Sequence, residues 1–235
     1  MNQPTRFTLL QLTQMAGLPA RRSIRLTATL IVAAWAALPV SAAFAASPEA
    51  STPRLTMPAP AELSAEQREA MAAFEAARKT PVFGPFEPLL NSPQLMTAAR
   101  AMGDHLRYHA AIGPALSEWA ILITARAWTQ DYEWALHLPL AIKAGVDPRA
   151  AQALAEGRRP EGLGPDQQLV YDYLDELNRT HQVSDATFAR ALARFGRQGV
   201  VDLTGVHGYY TFLAMTLNVA RTPVPPGGAT LPRLP

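Results

Sequence analysis

An all-helical domain is the fold class this sequence predicts, and three observations predict it. Apolar positions recur at helical spacing, most cleanly at Val170, Tyr173, Leu174 and Leu177, which fit i, i+3, i+4, i+7. Ser or Asp directly before Pro marks helix starts at Ser92-Pro93 and Asp147-Pro148. No stretch alternates apolar and polar residues as a half-buried strand would. There is also no repeat of fixed period, no Gly-rich phosphate loop and no Gly-x-Ser-x-Gly elbow. With 49% hydrophobic and 17% charged residues, the chain can build one ordinary globular core, placed at residues 62–222.

The first 45 residues read as an export signal. Arg6, Arg21, Arg22 and Arg25 precede an uncharged apolar run, Leu26 to Val40, and the small-residue stretch SAAFAAS follows, with cleavage expected near Ala45 or Ala46. The run is short for a membrane span of about 20 residues. Arg21-Arg22 also hints at a twin-arginine signal. A periplasmic or otherwise exported location is the expectation, with no stable membrane insertion after cleavage. Losing 4 of 21 basic residues leaves 17 against 19 acidic ones, a net charge of −2 instead of +2. The high pI therefore belongs to the signal and gives no reason to expect nucleic acid. The chain contains no cysteine, so disulfides and thiol chemistry of its own are excluded.

Residues 46–61 read as a flexible leader rich in Pro, Ala, Ser and Thr. Residues 62–79 read as an Ala/Glu/Arg-rich helix stopped before Pro81. FGPFEPLLNSP is an irregular link whose aromatic and leucine side chains pack on the domain. Ser92 caps the next helix, with Leu95, Ala98, Ala99, Met102 and Leu106 as its apolar face and an end near Gly113-Pro114. Leu116 to Gly145, LSEWAILITARAWTQDYEWALHLPLAIKAG, is the longest dense helical stretch. It is apolar nearly all round at Ile121 to Ile123, broken near Trp128 to Gln130 with Thr129 available as cap, and kinked at Pro139. Asp147 and Ser184 cap further helices, and a final one spans roughly Val200 to Val219. Residues 223–235 form a Pro/Gly-rich tail.

The central stretch concentrates the groups that can do chemistry. Glu133 and His137 stand at i, i+4 and can share a site, with Glu118 upstream and Trp128, Tyr132 and Trp134 around them. The run SEWAILITARAWTQDYEWALHLPLAIKAG, with GPFEPLLNSP before it and VVDLTGVHGYYTFLAMTLN and VPPGG after it, resembles the carboxymuconolactone decarboxylase family. That family shares its helical fold with alkylhydroperoxidase D, so the resemblance implies an AhpD-like domain and a homo-oligomer. Two nearly all-apolar helices, more than one small domain readily buries, point the same way. In the hydroperoxidase branch a Cys-x-x-Cys pair would fall on Gln130 and Glu133, so that activity lacks its thiols here. The decarboxylase branch carries Glu-x-x-x-His, matched by Glu133 and His137. What it implies is a small carboxylated or lactone-type substrate losing carbon dioxide, with no metal and no cofactor.

Decarboxylation leaves an electron pair that must be delocalised and then protonated at carbon, by an acid of tuned pKa beside groups that grip the anion. Glu133, His137 and Glu118 are the catalytic candidates. Arg126, Trp128, Tyr132, Trp134, His207 and Tyr210 are the substrate-binding candidates. Each has a plainer reading. Glu133 and His137 would also suit a core pair closing a helix, Glu118 a first-turn carboxylate facing the helix dipole, and Arg126 a structural ion-pair partner. His207 would equally be a satisfied buried histidine, with its helix lining the same cavity. His105 and His109 have metal-ligand spacing but no third ligand identifiable in the sequence. A non-catalytic small-molecule binder on the same fold is the alternative, and a peroxide-related role, with thiols supplied by a partner, is the third.

Overall fold

The computed structural model describes residues 52–234, and the export signal expected at 1–45 lies outside them. Among the described residues the secondary structure is helical, in eight segments. Helix α1, Ala65–Arg78, opens on a capping box in which the Gln67 N–H donates to Ser64 Oγ and the Ser64 N–H donates to Gln67 Oε1. The link that follows contains one short helix, α2, Phe86–Leu89. Phe83 and Phe86 stack against Phe74 of α1, so the link is fastened to the domain. Gly84 turns it with φ of +55°, and a β-carbon there would lie 2.7 Å from Tyr132 Oη, so only glycine fits.

Helix α3, Pro93–Tyr108, starts at the expected place, but Ser92 makes no side-chain cap bond and Pro93 alone sets the entry. Its buried face is Met96, Ala99, Gly103 and Leu106, whereas Leu95 and Met102 are exposed. The expected face was rotated because Gly103 looks like a gap in the apolar pattern. It is instead the slot for Tyr209, whose Oη lies 2.3 Å from where a β-carbon would stand. The helix also ends before Gly113, which opens α4, Gly113–Ala127.

Helix α4 is the centre of the molecule. Trp119 to Ile123 are buried, and the helix packs against α3, α5, α6, α7 and α8. A side chain such as Leu122 or Ile121 contributes about 1.5–3 kcal/mol when removed from water, which explains why this segment is apolar on every side. The turn to α5, Asp131–Lys143, is capped by Gln130 and not by Thr129. Thr129 adopts a left-handed φ of 46°, while Gln130 Oε1 accepts from the Tyr132 and Glu133 N–H groups. Helix α5 runs through Pro139 to Lys143.

Asp147 caps α6, Pro148–Ala155, and α7 spans Pro165–Thr180 with Leu169, Val170, Tyr173 and Leu174 buried. Ser184 caps α8, Asp185–Ala220, which Gly196, at φ 68° and ψ 179°, breaks into two helical segments. The second segment is the expected final helix. It leaves Val201, Met215 and Val219 exposed, whereas α4 is covered by its own chain. No helix among the described residues is long and apolar enough to cross a membrane. Residues of the tail dock on the α4–α5 corner. Leu231 is buried, its N–H donates to Asp131 Oδ1, and Arg233 pairs with Asp131.

Candidate active site

Three side chains that the sequence places apart meet in the core. His137 Nδ1 lies 2.6 Å from Glu118 Oε2, across the α4–α5 contact, and Nε2 lies 3.4 Å from Glu133 Oε2 one turn back on its own helix. Both ring nitrogens are therefore held by carboxylates, and Tyr210 of α8 meets the imidazole edge-on at 5.1 Å. Glu133 and His137 side chains are 4% exposed and Glu118 is 14% exposed, so Glu118 is the member of the trio nearest water. Glu118 is not a first-turn carboxylate: it sits in the second turn of α4 and its partner is the imidazole.

Burial alone would make His137 give up its proton more easily. The hydrogen bonds to Glu118 and Glu133 and the charge on both outweigh that effect, and the net pKa is raised. Tyr210, fully enclosed, is pushed well above the usual phenol range by burial. Glu133 Oε1 has no hydrogen-bond partner among the described residues, an orphaned acceptor in the interior. Beside the trio is a cavity of about 30 Å³, lined among others by Arg78, Arg107, Phe83, Phe86, Tyr209 and Tyr210. That is room for water and far below the several hundred Å³ of usual ligand pockets.

The guanidinium groups at the site are not the expected one. Arg126 points away, donating to the carbonyls of Ala155 and Pro232 and to Thr129 Oγ1. It ties the tail to the end of α4, and so the plainer structural reading holds for it. Arg107 of α3 approaches Glu118 Oε1 at 4.0 Å. Burial would loosen its proton, but the carboxylate of Glu118 beside it holds the charge and its pKa is raised on balance. Arg78 of α1 lies along Phe86 and pairs with Asp104 at 2.9 Å. Neither arginine was singled out from sequence, because each stands on another helix, outside the central stretch.

Of the expected substrate-binding residues, Tyr210 lines the cavity. Tyr132 lies behind it under Gly84, its hydroxyl pushed up to about 12, first by burial and then by the charge of Glu133. Trp134 faces the opposite flank of α5, in a groove with Thr230 and Pro232. Trp128 and His207 line another groove between the C-terminal ends of α4 and α7 and the middle of the second segment of α8, so α8 borders the cavity but His207 does not. His105 Nε2 is directed at Asp202 Oδ1, 3.2 Å away, and Asp202 Oδ2 accepts from the Ala111 N–H. No cluster of three or more metal-binding side chains occurs among the described residues.

No family model matches the chain, and no curated protein matches it. Solved structures do. An uncharacterized peroxidase-related protein from Silicibacter sp. TM1040 aligns with a TM-score of 0.57 at 14% identity, over 71% of this chain and 87% of that one. An alkylhydroperoxidase AhpD core, an uncharacterized peroxidase-related protein from Ralstonia eutropha JMP134, aligns with a TM-score of 0.59 at 17% identity, over 75% and 94%. The fold is AhpD-like. At these identities the likeness speaks for architecture alone. On this AhpD-like frame the Glu118–His137–Glu133 trio lies along the α4–α5 contact, in a chain that has no cysteine to place there.

Proposed function

We propose that this chain is a cofactor-free enzyme that moves a proton through His137 on a small carboxylated or lactone-type substrate, most simply in a decarboxylation. One observation carries the reading: an imidazole gripped at both nitrogens by buried carboxylates, with its pKa raised, beside a cavity bordered by two arginines. A buried, charge-coupled histidine of this kind is a group suited to general acid chemistry. In the proposed step the bond from the substrate carbon to its carboxylate breaks and carbon dioxide leaves. The electron pair is delocalised into the unsaturated lactone, and His137 delivers its proton to carbon. Glu118, nearest water, returns a proton to the imidazole. Arg107 holds the anionic end of the substrate, the role expected of Arg126. Admission of a substrate requires the cavity to widen, since the closed cavity holds only water-sized guests.

The second reading is a non-catalytic small-molecule binder that retains the pocket on the same fold. A thiol peroxidase role would need thiols from another protein, since this chain contains none. Export by the N-terminal signal and assembly into a homo-oligomer belong to the same proposal, the second supported by the exposed Val201, Met215 and Val219. The deciding experiment is turnover of 4-carboxymuconolactone, followed by its ultraviolet absorbance, for the wild type, Glu133→Gln and His137→Ala. Loss of turnover in both variants with helix content retained supports the enzyme. Saturable binding of the lactone without turnover in the wild type supports the binder.

A further inference from the structure

The groove that holds Trp128 and His207 has no part in the site above. It measures about 500 Å³, within the range of small-molecule pockets, and opens on a different face of α8 from Tyr209, Tyr210 and Leu213. No Asp, Glu, Lys or Arg lines it. Its apolar wall is Leu177 and the indole of Trp128, which is 38% exposed.

On the α8 floor of the groove hydrogen-bond accounting leaves His207 Nε2 free, and at its α7 rim the side chains of Asn178 and His181 also make no hydrogen bond among the described residues. The single hydroxyl proton of Thr124 goes to the Ala120 carbonyl at 2.8 Å, so at 2.9 Å Thr124 Oγ1 must accept from His207 Nδ1–H. His207 therefore carries its proton on Nδ1 and presents a bare lone pair on Nε2, which has no partner among the described residues. Of the neighbouring hydroxyls, Thr204 Oγ1 donates to Val200 and accepts from Tyr173, and Thr211 Oγ1 accepts from the Trp128 indole. Burial lowers the pKa of His207, which keeps the imidazole neutral and the lone pair available near neutral pH.

Gly208, next to His207, is unexplained by the fold itself. Gly103, Gly199 and Gly205 each have a neighbour that a β-carbon would crowd, but at Gly208 a β-carbon would meet nothing within 4 Å. Glycine in a helix interior is destabilising relative to alanine, so the missing side chain costs stability and returns only open space on the groove floor.

We propose that this groove is a second binding site, for a flat, neutral aromatic molecule bearing one hydroxyl or N–H donor, of the phenol class. Its ring lies against Trp128 over Gly208, and its donor bonds His207 Nε2.

The test titrates the full-length protein with phenol, toluene and benzoate by ligand-observed NMR, alongside Gly208→Leu and His207→Phe. Phenol is expected to bind in preference to benzoate. Gly208→Leu is expected to abolish binding while melting at the same or a higher temperature, since a β-carbon at 208 meets no atom within 4 Å and glycine in a helix interior gives way to a better helix former. His207→Phe is expected to weaken phenol roughly three- to tenfold, the loss of one hydrogen bond, and to leave toluene unchanged. Absence of phenol binding to the wild type overturns the proposal, and so does undiminished binding to Gly208→Leu. Equal losses of phenol and toluene in His207→Phe overturn the donor assignment. Sedimentation showing a wild-type assembly that Gly208→Leu dissociates gives the groove to a second copy of the chain and overturns it as well.

Discussion

Replacing His137 by Gln tests whether the trio behaves as one electrostatic unit. The substitution removes the only partner that Glu133 Oε2 has among the described residues, in a side chain 4% exposed whose Oε1 is already orphaned. It also breaks the 2.6 Å contact to Glu118. Removing one member of a buried ion pair costs about 3–5 kcal/mol, most of it from the charge left behind. Glu133→Gln alone removes a carboxylate but leaves His137 its stronger bond to Glu118, so it should cost less, about 1–2 kcal/mol. The double variant has no stranded charge at position 133. It should therefore be more stable than the sum of the two losses requires, by roughly 1–3 kcal/mol. Urea melts followed by circular dichroism near pH 6 would measure all four proteins. Costs that add to within about 0.5 kcal/mol would show that the two side chains do not share a site.

The same trio sets a pH dependence. The folded pKa of His137 lies above its ordinary 6.5, so its contribution to stability is complete below that value and is lost as pH rises through the folded pKa. Urea midpoints should thus fall from about pH 6.5 upward in the wild type, and the slope should flatten in His137→Gln. Gly84→Ala forces a left-handed alanine against Tyr132 Oη, and should cost at least about 1–2 kcal/mol in denaturant melts. Deleting residues 223–235 exposes the site of Leu231 and strips Arg126 of the Pro232 carbonyl. A loss of about 2–4 kcal/mol is expected by the same melts, and an unchanged midpoint would mean the tail is not docked in solution.

Fold class was legible because its signals are local. Asp147 and Ser184 cap as their side chains dictate, and the α7 face follows from spacing alone. The pairing of Glu133 with His137 was equally local, being one helical turn. Glu118 was legible only as a carboxylate of the same stretch, since nothing in its own neighbourhood points across to α5. The failures share one physical cause: periodicity gives the angular spacing of residues around a helix, but not which neighbour each flank meets. Arg126 and His207 thus face partners other than the cavity, and Arg107 and Arg78 enter it from helices with no chemical signature of their own. The α3 face was misplaced for the complementary reason, because Gly103 is buried by what it lacks.

The docking of residues 231–233 on the α4–α5 corner has a consequence for how the chain matures. Arg126 lies in the central helix, yet one of its acceptors, the Pro232 carbonyl, is supplied 106 positions later. Until that segment has been synthesised, a guanidinium at the heart of the domain is short of a partner, and Asp131 lacks Arg233 and the Leu231 N–H. The turn from α4 to α5 is therefore completed last. A nascent chain can gather its helices early, but the first turn of α5 gains these partners only when the late residues dock.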